Sequence, residues 1–175
     1  MPRHISIDLS TRSIDEAIRQ LRTYQSSLDS KRDRFVRAFA DRIAEYANAG
    51  FSSATVNDIV NVGMRPASVS VSVDPVTDGM TAVIATGEDA VWVEFGAGVH
   101  HNGSVGSSPH PNGAELGFTI GSYGKGKGKG KTWGYYDNGA LVLTHGTPAQ
   151  MPLYNAVLSA CKDIEQIARE VFSHD

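Results

Sequence analysis

Ala90-Val91-Trp92-Val93-Glu94-Phe95-Gly96-Ala97-Gly98 is the stretch on which the reading of this chain turns. An apolar run meets one carboxylate and then leaves through glycines, whose missing Cβ allows a sharp change of direction. Alternation predicts a β-strand over Ala90–Phe95, with Val91, Val93 and Phe95 on one face and Trp92 and Glu94 on the other. That strand closes an antiparallel meander over 66–95. Val69, Val71 and Val73 form its first strand, Asp74-Pro75 to Gly79 a turn, Met80–Ala85 its second strand, and Gly87-Glu88-Asp89 the next turn.

Upstream, residues 1–50 read as helical. His4–Leu9 alternates like a short extended arm, and Ser13 with Glu16 has the spacing of a capping box. Ile14, Ala17, Ile18, Leu21, Tyr24 and Leu28 recur every three or four residues, and Phe35, Phe39, Ile43 and Tyr46 begin a second phase. Gly50 is the expected stop. The charges from Lys31 to Arg42 read as the solvated face of this helical region. Residues 51–66 fit either a helical turn or a connecting strand.

Downstream, residues 96–131 change composition to Gly, Ser, Asn, Pro and His and end in GKGKGKGK, so a flexible insertion is expected there. A hairpin over 132–144 turns at Asp137-Asn138-Gly139. A C-terminal helix over 151–172 starts at Pro152, where the missing amide hydrogen costs little. The expected class is α+β. Long N-terminal helices and a C-terminal helix pack on a mostly antiparallel β-sheet, with a long Gly/His/Lys-rich loop inserted between strands. One domain spans 1–175.

Composition narrows function. The 175 residues carry a formal net charge of -3, which argues against a uniformly basic nucleic-acid binder. Residues 1–50 are net +2 and residues 51–175 net -5, from nine Lys/Arg against seven Asp/Glu and seven against twelve. Cys161 is the single cysteine, so no intrachain disulfide forms, and its helical setting predicts a buried thiol. The N-terminus lacks the apolar core of a secretory signal, and no segment has the length of a membrane span, so a soluble intracellular protein is expected.

Three sets of residues invite chemistry. Glu94 with His100, His101, His110 and His145 offers enough ligands for zinc and hence a metal-dependent hydrolase, but adjacent histidines and no HExxH make no recognised spacing. Gly130-Lys131-Thr132 ends like a phosphate loop, but Lys125 stands where that motif needs glycine. Lys125, Lys127, Lys129 and Lys131 remain a basic finger able to contact phosphates or acidic protein, and a small DNA-binding module is the corresponding alternative. Trp133, Tyr135 and Tyr136 at strand spacing fit a core or an interface better than base stacking. Neither a catalytic residue nor a cofactor is assigned.

Two short motifs in order, Val93-Glu94-Phe95-Gly96-Ala97-Gly98 and Thr147-Pro148-Ala149-Gln150-Met151-Pro152, resemble the HK97-type family of minor structural proteins of tailed bacteriophages and prophages. That family comprises neck and tail-completion components, and the resemblance extends over about the whole chain. It implies a non-enzymatic protein assembled into a homo-oligomeric ring in the host cytoplasm and carried in the virion. Its implied neighbours are head-completion or connector proteins and tail-tube or tail-terminator proteins. It makes Glu94, Phe95, Gly96, Gly98, Thr147, Pro148 and Pro152 structural, with Glu94 capping or pairing near the helix at Pro152 and Phe95 anchored in the core. It places the lysine loop against an adjacent ring or against DNA in the lumen, where contacts carry no sequence preference. No membrane partner is implied.

Overall fold

A computed structural model describes residues 5, 7–58, 63–77, 79–96, 108–118, 133–137, 139–144 and 146–173. The chain is α+β, with helices packed on small antiparallel sheets. Helix α1 spans Thr11–Ser53 without interruption, 43 residues, or about 64 Å. The two apolar phases therefore belong to one helix. Its cap is Ser10, whose hydroxyl accepts from the Ser13 amide, rather than the Ser13–Glu16 pair.

Gly50 is not a stop, because α1 continues past it. Helix α3, Pro152–Phe172, runs back along the C-terminal half of α1. Pro152 lies at Gly50, Asp163 reaches Arg42 and Tyr46, and Phe172 meets Phe35 with ring centroids 6.1 Å apart. A Cβ on Gly50 would stand 2.8 Å from that of Pro152, so the glycine is what lets the two helices meet. Arg42 Nη1 and Tyr46 Oη both donate to Asp163 Oδ2, at 2.9 and 2.6 Å. The Tyr46 bond first, and then Arg42 against the opposing effect of burial, hold the Asp163 carboxyl below its ordinary value. Of the charges from Lys31 to Arg42, Arg32 and Arg37 are exposed, whereas Lys31 is buried and Arg42 is tied to α3.

Among the described residues the strands form three separate two-stranded ladders rather than one sheet. β1 (Thr55–Asp58) pairs with β2 (Gly63–Pro66), which resolves part of the ambiguous 51–66 stretch as a hairpin following the end of α1. β3 (Ser70–Thr77) pairs with β4 (Met80–Thr86), with a register shift between Pro75 and Thr77. The expected turn from Asp74 is thus shorter, because Asp74 and Pro75 stay in the ladder and the reversal sits between Thr77 and Met80. β5 (Trp133–Asp137) pairs with β6 (Ala140–Thr144), with Asp137 opposite Ala140, as the hairpin signal predicts. Among residues 5 and 7–10 no strand is present.

The main correction falls on the opening stretch. Ala90–Phe95 is helix α2, not the third strand of a meander. Its buried residues are Ala90, Val93 and Glu94, a three-and-four spacing, while Val91 is exposed. β-branched composition suggested a strand, but propensity of that size yields to tertiary packing. Here Val93 fills the core and Glu94 turns to α3.

The core gathers Ile43, Ala47 and Phe51 of α1, Ala54, Val56 of β1, Val93 of α2, and Ala156 and Ala160 of α3. Val69, Val71, Val83 and Ala85 of the β3–β4 region pack against it from one side. Cys161 is exposed, not buried, because α3 turns Ala156, Ala160 and Ile167 inward and leaves Cys161 on another face. No described helix is long and apolar enough to cross a membrane.

Two substitutions test this packing. Gly→Ala inside a helix ordinarily stabilises by about 0.5–1 kcal/mol, but Gly50→Ala is expected to destabilise because its methyl meets Pro152. Phe51→Ala should cost about 3–5 kcal/mol, as for other buried aromatic truncations. Urea denaturation of both variants measures the signs and sizes.

Candidate functional site

Pro152 begins α3 and has no amide hydrogen, so Leu153 and Tyr154 present the first free amides of the helix. Met151 precedes it in a left-handed conformation, φ 54°, and supplies no side-chain cap. The missing cap comes from α2. Glu94 Oε2 accepts from the Leu153 amide and Oε1 from the Tyr154 amide, both at 2.8 Å. Glu94 is only 5% exposed, so these bonds offset the loss of its hydration. The positive end of the α3 dipole adds to the attraction.

The backbone beside Glu94 joins the same segment. Val93 O accepts from the Gln150 amide at 2.8 Å and the Met151 amide at 3.3 Å. The Gln150 side chain grips β1 in turn, with Nε2 donating to Thr55 O at 2.7 Å and Oε1 accepting from Thr55 N at 3.3 Å. Gly96 ends α2 at φ 81°, a left-handed value that glycine adopts without a Cβ penalty.

A third segment, Ser108–Phe118, closes over the node. Its chain folds on itself through Phe118 N to Gly113 O at 2.7 Å and Ser108 N to Phe118 O at 3.0 Å. Ser108 Oγ donates to Phe95 O at 2.5 Å. Phe95 and Phe118 stack with centroids 4.3 Å apart, and His110 lies between Phe95 and Tyr154 at 4.4 and 5.3 Å. His110 Nδ1 accepts from the Asn112 amide at 3.1 Å, which puts the imidazole proton on Nε2. Nε2 stands 3.4 Å from Glu94 Oε1.

Glu94, Phe95, Gly96, His110 and Pro152 thus meet at one place. Thr147 is buried and Pro148 half-buried on the approach to α3. Glu94 is a buried residue of helix α2, not one that shares a strand face with Trp92 as alternation predicts. Phe95 is half-buried against His110 and Phe118 rather than in the central core. Within the insertion expected over 96–131, residues 108–118 form a set of hydrogen-bonded turns. Gly98, His100, His101, His145, Lys125, Lys127, Lys129 and Lys131 lie outside the described residues. Among the described residues, no three His, Cys, Asp or Glu side chains converge as a metal site.

Sequence reasoning missed a second buried carboxylate. Asp89 at the start of α2 accepts from Arg65 Nη1 and Nη2 at 2.7 and 2.9 Å and from the Ser68 amide at 2.8 Å. Burial alone would push its carboxyl up, but the Arg65 and Ser68 bonds together outweigh it and leave the group below its ordinary value. Asp89 thereby ties α2 to β2 and to Ser68, which precedes β3. A Gly-Glu-Asp turn gives no sequence sign of an arginine partner 24 positions upstream.

Comparison of the chain with protein-family models, with curated proteins and with solved structures finds no match.

Glu94→Ala is expected to destabilise by about 2–3 kcal/mol, since two helix amides lose a charged acceptor and His110 loses its neighbour. Glu94→Gln should recover only part of this, because its NH2 faces a donor. Denaturant titration of the two variants measures the difference. For Asp89 the folded carboxyl titrates below the unfolded one, so its stabilisation is complete above the ordinary aspartate value, about 3.9. It is lost as pH falls through the lower folded value. The stability gap between the native protein and Asp89→Asn should therefore shrink on acidification below about pH 4.

Proposed function

We propose that this chain is a non-enzymatic structural protein of a tailed bacteriophage or prophage. It acts at the head–tail connection or in tail completion, where it assembles into a homo-oligomeric ring within the virion. The observation that carries this reading is the union of the two motifs on which the family resemblance rests. Val93 O and the Glu94 carboxylate hold the amides of Gln150, Met151, Leu153 and Tyr154, so the motifs are two sides of one structural joint. Both Glu94 oxygens are occupied by helix amides, a use that fits architecture and leaves little for acid–base chemistry.

Exposed apolar residues support assembly. Tyr136 is 77% and Leu141 55% exposed on the β5–β6 hairpin, and Val76 and Met80 are exposed near the β3–β4 turn. Apolar surface of this kind marks contact sites where it is contiguous. Repetition of one head-to-tail contact closes a ring when its rotation divides the circle. The neighbours in this reading are a connector or head-completion protein on one side and a tail-tube or tail-terminator protein on the other.

Electron microscopy of the purified protein mixed with the connector and tail-tube proteins encoded beside it tests the proposal. Rings on the connector or tube are expected, and Gly96→Val should leave heads and tails unjoined. Gene neighbours of unrelated metabolic function, or virions that join normally without this protein, would overturn it.

A further inference from the structure

We draw no further inference here: the strongest candidate, the groove between the end of α1 and the start of α3, carries nothing, because Tyr46, Ser53, Gln150 and Asn155 along it direct their donors to Asp163, Gly50, Thr55 and Gln150 within the chain and nothing in the structure shows what would fill it.

Discussion

The structure depends on a buried carboxylate placed where a helix begins without its own cap. Proline at the first position of α3 fixes the backbone for helix and removes one donor, but Leu153 and Tyr154 still need acceptors. Met151, in a left-handed conformation, turns the chain and offers none. Glu94 satisfies both amides from a separate element 59 residues upstream, so the start of α3 is defined by tertiary contact. A local serine or aspartate cap would have started the helix without fixing where it sits. A distant cap does both, because α3 receives its acceptor only when α2 is in place.

From that joint the rest of the body follows by short steps. Val93 enters the core while its carbonyl receives Gln150 and Met151, and the Gln150 side chain clasps β1 at Thr55. Once placed, α3 runs down α1 over Gly50, Ala156 and Ala160, whose small size permits a close helix pair. Asp163 then locks the pair at mid-length through Arg42 and Tyr46. On the other flank Asp89 joins α2 to Arg65 and Ser68. A six-residue helix has no stability of its own in water. α2 exists because two carboxylates, one at each end, tie it to its surroundings.

The sequence conveyed the class, the extent of α3, the β5–β6 hairpin and the helical nature of the N-terminal region, since each rests on a period or on Asn-Gly and Pro signals within one segment. It misled at Ala90–Phe95, where six residues satisfy both the strand and the helix template. Their β-branched content favoured the strand, and the deciding contacts lie with Val56, Leu153 and Tyr154, remote in sequence. Glu94 and Pro152 were legible as important residues, and the capping that the family resemblance implied for Glu94 is the geometry found at α3. The Ser108–Phe118 cover and the Arg65–Asp89 pair were illegible, because neither has a local pattern. Cys161 shows the complementary error: a helix with a broad apolar stripe does not reveal from sequence how much of that stripe its partner covers.

Among the described residues, α1 is packed differently along its two halves. Between Phe35 and Phe51, α1 is packed by α3 and the sheet residues, and its seam is alanine, isoleucine and phenylalanine. Between Ile14 and Leu28 the seam keeps its period, with Ala17 buried and Ile14, Ile18, Leu21, Tyr24 and Leu28 half-exposed, while weak helix formers from Thr23 to Ser30 make it dependent on packing. Apolar residues at 14, 17, 21, 24 and 28, with Arg12, Asp15, Glu16, Arg19, Arg22 and Asp29 off that line, give this half of α1 two distinct faces. The joint at Glu94 acts on the other half, where Pro152 meets Gly50 about 33 Å along α1 from Leu28.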